Sequence, residues 1–153
     1  MNLKDSERFL AEAQVGRLGT SLKNMPYVTP LNFVYQNGRI YFHCAKEGKK
    51  LANINDNKSV CFEVDEFLGV KNVEGTAACT STAYYRSVIA FGHARIIKSI
   101  EDRRRILEKL VAKYLKQPTR PVLSQETLKR TTIVEIQISQ ITGKRNLPAP
   151  RIK

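Results

Sequence analysis

Residues 27–57 read YVTPLNFVYQNGRIYFHCAKEGKKLANINDN, and this stretch decides the fold. β-Branched and aromatic residues crowd both sides of Asn37-Gly38: Tyr27, Val28, Thr29, Phe33, Val34 and Tyr35 before it, Ile40, Tyr41 and Phe42 after it. Asn-Gly tolerates positive φ at both central positions of a type I′ turn, so the spacing predicts a β-hairpin. The chain then changes character. Lys46-Glu47-Gly48-Lys49-Lys50 places a glycine and three lysines where a short helix, Lys49 to about Asn55, is expected to begin. Free N–H groups at a helix start, beside ammonium groups, suit a phosphate. The pattern is not a P-loop, however, and paired lysines at a helix start are commonly just solvated. Spacing alone leaves both readings open.

Toward the N-terminus, Asp5 or Ser6 is expected to cap a helix running to about Gln14, with Phe9, Leu10 and Ala13 on one face and Gly16 ending it. Residues 17–22 alternate as a strand. Lys23 to Pro26 reads as a turn, with Pro26 at an edge where no ladder donor is needed. Toward the C-terminus, Ser59 to Glu66 has strand period, with Val60, Phe62 and Val64 on one face. Residues 67–80 read as a loop. The longest β signal, residues 81–99, is interrupted by Gly92, which predicts a bulge or barrel corner. Ile100 to Lys116 is a helix whose stripe is Ile106, Leu107, Leu110, Val111, Tyr114 and Leu115, stopped by Pro118 and Pro121. A short helix near Ser124–Lys129 and a strand over Thr132–Ile141 complete the pattern. In that strand Ile133, Glu135, Gln137 and Ser139 alternate against Thr132, Val134, Ile136 and Ile138. About six strands without βαβ alternation predict a mainly β (α+β) fold, an antiparallel sheet closed into a small barrel.

The 153 residues, 42% apolar and 26% charged, suit one ordinary globular domain, here residues 1–146 with a tail at 147–153. The net charge of +12 is spread: residues 100–130 hold nine basic and four acidic side chains, and residues 131–153 hold four and one. The Arg103–Arg105 triplet reads as a solvated helix face, and no RNP-like or helix-turn-helix pattern accompanies it. Only the charge argues for nucleic acid as a partner, which ranks that reading last. Cys44, Cys61 and Cys79 form no CxxC pair and no metal-ligand spacing. The N-terminus shows no apolar signal region and no run approaches membrane-spanning length, so no membrane partner is expected and the cytoplasm is the expected compartment.

PLNFVYQNGRIYFHCAKEGKK (30–50), NDNKSVCFEVDE (55–66), YYRSVIAFGHARI (84–96) and ITGKRN (141–146) together resemble the flavin-binding split barrels related to pyridoxamine-phosphate oxidase, and among them the nitroimidazole-resistance (Nim-like) flavoproteins. The similarity runs in order from about residue 8 to 146. It implies a six-stranded antiparallel Greek-key split barrel with flanking helices, acting as a homodimer with two FMN molecules in clefts between subunits. By the same resemblance Thr29, Pro30, Leu31 and Asn32 line the flavin ring, and His43 and Cys44 face the ribityl chain or phosphate. Gly48, Lys49 and Lys50 take the phosphate, while Arg86 and Ser87 approach the ring or ribityl chain. One position departs from the family. Many Nim-like members have histidine where this chain has Lys49, and a lysine cannot act as a near-neutral imidazole.

Each residue also has a plainer reading. His43 in a strand is commonly a hydrogen-bonded structural residue, Asn32 a strand-edge polar group, and Arg86 a surface arginine packed on a tyrosine. The function that the resemblance favours is an FMN-dependent oxidoreductase passing electrons to a small planar acceptor such as a nitroaromatic. The competing reading is a module on the same barrel that stores flavin or haem without turnover. A pyridoxamine-phosphate oxidase ranks below both, because the chain is short and lacks an Arg-and-His substrate motif near its C-terminus.

Overall fold

The structure is a computed structural model that describes residues 1–71, 81–115 and 123–148. Helix α1 (Leu3–Glu12) precedes strands β1 (Gly16–Leu22), β2 (Met25–Leu31), β3 (Val34–Gln36) and β4 (Arg39–Cys44). Helix α2 (Lys49–Asp56) follows, then β5 (Ser59–Lys71) and β6 (Thr82–Ile96), helices α3 (Ile100–Tyr114) and α4 (Gln125–Arg130), and β7 (Thr132–Asn146). One antiparallel sheet takes all seven strands in the order β2-β1-β5-β6-β7-β4-β3. Its two edge strands are neighbours in sequence, separated only by Asn32 and Phe33, so the sheet must curl until its ends meet. This is the expected split barrel, with seven strands among the described residues rather than six. The additional one arises because the run from Tyr27 to Tyr35 breaks at Asn32-Phe33 into β2 and β3, which pair with different partners.

Two tight turns set the registers. Asn37 and Gly38 both have positive φ, 49° and 74°, and join β3 to β4 as expected of a type I′ hairpin. Lys23 and Asn24 do the same at 49° and 63°, pairing Leu22 with Met25, so the segment read as a four-residue turn is a second two-residue hairpin. Pro26 lies on β2, an edge strand. Gly92 marks a register shift against β7, as the break in the β6 pattern predicted.

Alternation fills the barrel with Leu18, Ile40, Phe42, Phe62, Val64, Val88, Ala90 and Ile136, and α1 and α2 close it with Phe9, Leu10, Leu51 and Ile54. Phe33 and Phe62 meet edge to face at 4.8 Å. Beside them Gly16 has no room for a side chain: a Cβ there would overlap the Phe62 ring and lie 3.2 Å from Phe33. Gly16 was read as a helix terminator, but it is the first residue of β1, and α1 has already ended at Glu12. The cap of α1 is Asn2, whose side chain accepts from the Asp5 N–H, rather than Asp5 or Ser6.

A second core lies outside the barrel, where Ile106, Leu107 and Leu110 of α3 and Leu128 of α4 cover Val34 and Ile133. It explains why Ile133, Val134, Glu135 and Ile136 are all buried where alternation predicted one buried face: this part of β7 has a core on each side. Of the arginine triplet, Arg105 is solvated as expected, but Arg103 and Arg104 are half-buried. Arg103 donates to the Leu128 carbonyl at 3.0 Å and Arg104 to the Leu123 carbonyl at 3.2 Å, binding α4 to α3; Arg105 pairs with Asp102 at 2.8 Å. Residues 67–71 extend β5. The rest of the segment read as a loop lies outside the described residues, as do Cys79, Pro118 and Pro121.

Candidate functional site

The lysine loop is built around Gly48. It occupies the N-cap of α2 at φ 135°, a backbone conformation that disfavours a side chain, and no side chain caps the helix. The intrahelical bonds begin with the Leu51 and Ala52 N–H groups donating to the Gly48 carbonyl at 3.0 and 3.1 Å. The N–H groups of Lys49 and Lys50 precede that ladder and point out of the helix end. Side chains fix where this end lies. Asn53, fully buried, donates to the Thr20 hydroxyl at 2.9 Å; Thr20 donates to the Tyr27 carbonyl at 3.3 Å; Asn57 donates to the Ser21 hydroxyl at 3.2 Å. The helix is thus laced to β1 and β2. The exposed Lys49 ammonium sits 4.7 Å above the Tyr27 ring. Along the same strand, the Thr29 hydroxyl is buried with no hydrogen-bond partner. A buried polar atom without a partner needs an explanation, and a bound ligand supplies one.

Thr29, Pro30 and Leu31 lie on β2, while Gly48, Lys49 and Lys50 open the helix clipped to it. His43 and Cys44 are adjacent in β4 and so face opposite ways. Cys44 belongs to the barrel core, where burial pushes its thiol up against the opposing influence of Lys50. His43 is exposed on the α3 side. With Asn32 it borders an open, largely apolar cavity of about 330 Å³ walled by Leu107, Leu110 and Leu115. Asn32 donates to the Gln14 carbonyl at 3.2 Å. The Asn32-Phe33 link between β2 and β3 is held by the C-terminal turn of α3. Lys113 donates to the Ala13 and Phe33 carbonyls at 2.6 and 3.1 Å, and the Tyr114 hydroxyl accepts from the Phe33 N–H at 3.0 Å. Burial pulls the Lys113 ammonium down to about 8.

Arg86 and Ser87 likewise face opposite ways. Arg86 is packed under α1, with its guanidinium 4.1 Å from the Phe9 ring, 2.5 Å from Glu66 and 3.4 Å from Glu12. Its aromatic neighbour is therefore Phe9, not the preceding tyrosines. Ser87 lies on the outer sheet face, opposite Asp65 and Lys144. On that face the register aligns Val28, Gly19, Cys61 and Phe91 in a row across four strands, with Ile89 in the next row. Val28, Phe91 and Ile89 are 60%, 46% and 39% exposed, an uncovered apolar strip beside the strand that carries Thr29. Sequence reasoning missed Asn53, Thr20, Lys113 and Tyr114. A signal existed for the first: Asn53 stands between Leu51 and Ile54 on the inward side of a short helix, where a polar residue needs a specific partner.

Among solved structures, a candidate 5-nitroimidazole antibiotic resistance protein of Bacteroides thetaiotaomicron is 26% identical, with a TM-score of 0.77 over 93% of this chain and 82% of its own. A FAD-binding protein of Mycobacterium smegmatis is 25% identical, with a TM-score of 0.63 over 95% of both chains. A FAD- and haem-binding protein of the same organism reaches 0.83 over 97% of this chain and 74% of its own; at 16% identity it speaks for the fold alone. No match is found among curated proteins. No helix among the described residues is long and apolar enough to cross a membrane. With the fold and the lysine loop described, the family model for pyridoxamine 5'-phosphate oxidase matches residues 3–145, most of the chain: the chain belongs to the pyridoxamine 5'-phosphate oxidase family.

Proposed function

We propose that this protein binds FMN and reduces a small planar acceptor such as a nitroaromatic, working as a homodimer with a flavin cleft between subunits. The observation that carries this reading is the uncapped N-terminus of α2, where Gly48, Lys49 and Lys50 are clipped beside a strand bearing the orphaned Thr29 hydroxyl. Those residues fit a phosphate monoester. Two ammonium groups and free helix N–H groups favour a dianion, whereas the two phosphates of FAD carry one charge each. That contrast favours FMN over FAD. Thr29 would donate to or accept from a polar atom of the flavin, removing the cost of its unpaired hydroxyl. The Asn53–Thr20–Tyr27 lacing would hold the phosphate grip at a fixed offset from β2. When bound, the flavin supplies the hydride or electron chemistry, and the protein supplies orientation and electrostatics.

The test is direct. Purified protein should be yellow, or gain a flavin absorption band on adding FMN, with FMN binding more tightly than FAD. Stopped-flow mixing of reduced protein with a nitroimidazole should show acceptor-dependent reoxidation. Protein that binds FMN but is reoxidised no faster with the acceptor than without it is a flavin store, and protein that takes up no flavin defeats the reading altogether.

The strip of Val28, Ile89 and Phe91 supports the homodimer, being exposed on a sheet face that no helix among the described residues covers. Joining two such strips would set the β2 site of one chain against the face of the other that bears Ser87. Phe91→Asp puts a charge on the strip without touching the core. It should halve the mass found by light scattering and weaken FMN binding while leaving the circular dichroism unchanged. An unaltered mass would move the interface elsewhere.

A further inference from the structure

At the far end of β4 from the lysine loop, the start of α3, the end of β6 and β7 enclose a cavity of about 560 Å³. Four cations border it, Arg39, Arg95, Lys98 and Arg105, against two carboxylates, Glu135 and Asp102. Both carboxylates are already engaged. Glu135, only 4% exposed, accepts from Arg95 Nε at 2.6 Å and lies 3.8 Å from Arg39 Nε; Asp102 lies 2.8 Å from Arg105. Burial works against the Glu135 charge, but Arg95, Tyr41 and Arg39 outweigh it and hold its carboxyl below the usual range. The buried carboxylate thus acts as a fixed post. It accepts from Arg95 Nε and forms only a longer ion pair with Arg39, and the terminal N–H groups of both arginines, which border the cavity, have no hydrogen-bond partner among the described residues. Lys98, exposed, makes no ion pair among the described residues. Tyr41, Ile96 and Ile97 also border the cavity, Tyr41 beside Glu135 in the cross-strand register.

Guanidinium groups held in this way present the paired donors that phosphate oxygens accept. The volume is that of a small-molecule pocket and exceeds what a lone phosphate needs. We infer that this cavity binds a phosphate ester of nucleotide size, with Arg39, Arg95, Lys98 and Arg105 on its phosphates and Tyr41, Ile96 and Ile97 against its ring. The site is separate from the lysine loop and does not depend on the reading proposed for it.

ADP is the probe, titrated calorimetrically into the protein loaded with one equivalent of FMN per chain and freed of excess, so that the flavin-phosphate site is filled and the cavity is not. One ADP per chain is expected, binding more tightly than inorganic phosphate, weakening as KCl is raised, with adenosine giving no heat. Arg95 is a poor first target, because removing it strands the buried Glu135. Lys98→Gln with Arg105→Gln avoids that, since both side chains are exposed and neither touches Glu135. This double variant should keep the melting temperature and lose tenfold or more in ADP affinity, whereas Lys49→Ala with Lys50→Ala should leave ADP affinity intact. Absence of saturable binding at millimolar ADP would overturn the inference. So would affinity indifferent to Lys98 and Arg105, dependence on Lys49 and Lys50 instead, or phosphate binding as tightly as ADP.

Discussion

Replacing both Lys49 and Lys50 with alanine is expected to weaken FMN binding at least a hundredfold. A hydrogen bond to a charged group contributes about 1.5–3 kcal/mol, and about 1.4 kcal/mol is a factor of ten in affinity. Lys50→Ala alone should therefore cost tenfold or more, and the pair should approach the product of the two. The structure adds a reason for Lys49 to matter as much. Its ammonium sits over the Tyr27 ring, on the strand that carries Thr29, so its charge is held near β2 rather than swinging free. Lys46 is the internal comparison: it is exposed and lies outside the helix end, and Lys46→Ala should change affinity less than about threefold on the same scale. Fluorescence quenching of FMN measures the unaltered protein, the double variant and the single variants Lys46→Ala, Lys49→Ala and Lys50→Ala. Equal, small effects at positions 46, 49 and 50 would mean that the lysines provide only a diffuse field, and that the phosphate lies elsewhere.

Gly16→Ala is expected to be among the most damaging single-methyl changes available in the chain. The new Cβ would overlap the Phe62 ring and press on Phe33, and both rings are fully buried and in mutual contact. Neither is the loose end of a flexible side chain, so relief requires an off-rotamer ring or a shift of β1. Overpacking of this kind costs about 1–3 kcal/mol. Gly19→Ala, three residues along the same strand, is the control. There the nearest neighbours lie at 3.4 and 3.5 Å, ordinary contact, and the change should cost well under about 1 kcal/mol. Urea midpoints at constant m separate the two. Adding Phe62→Leu to Gly16→Ala should recover part of the loss, since the pair shares one space. Comparable costs at both glycines would show that backbone entropy, not the Phe62 ring, sets the penalty.

Local chemistry made much of this fold readable. Asn37-Gly38 announced its turn because only a few residue types accept the backbone it needs, and Gly92 announced its bulge by interrupting a β-rich run. The break at Asn32-Phe33 was hidden. Pro30, Leu31, Phe33 and Val34 suit a strand equally well on either side of it, and what splits them is Lys113 and Tyr114 reaching from α3 to the Phe33 backbone. The first half of β7 was misread for a related reason: alternation reports one buried face, and a second core under α3 leaves no alternation to see. At the lysine loop, the glycine start of α2 was visible in the order Gly48-Lys49-Lys50. Arg86 was named, but its surroundings were not legible, since Phe9, Glu12 and Glu66 reach it only through the fold.

The placement of β7 has a consequence for how the molecule comes into being. It is the last strand among the described residues yet lies between β6 and β4, pairing Arg39–Cys44 with residues that emerge roughly a hundred positions later. Until those residues leave the ribosome, the β3–β4 hairpin has no neighbour and the sheet cannot curl shut. Contacts so remote along the chain slow assembly, because a long segment must be constrained before they form. The nascent chain therefore waits with an apolar β4 edge bare, a window in which a chaperone would be most useful.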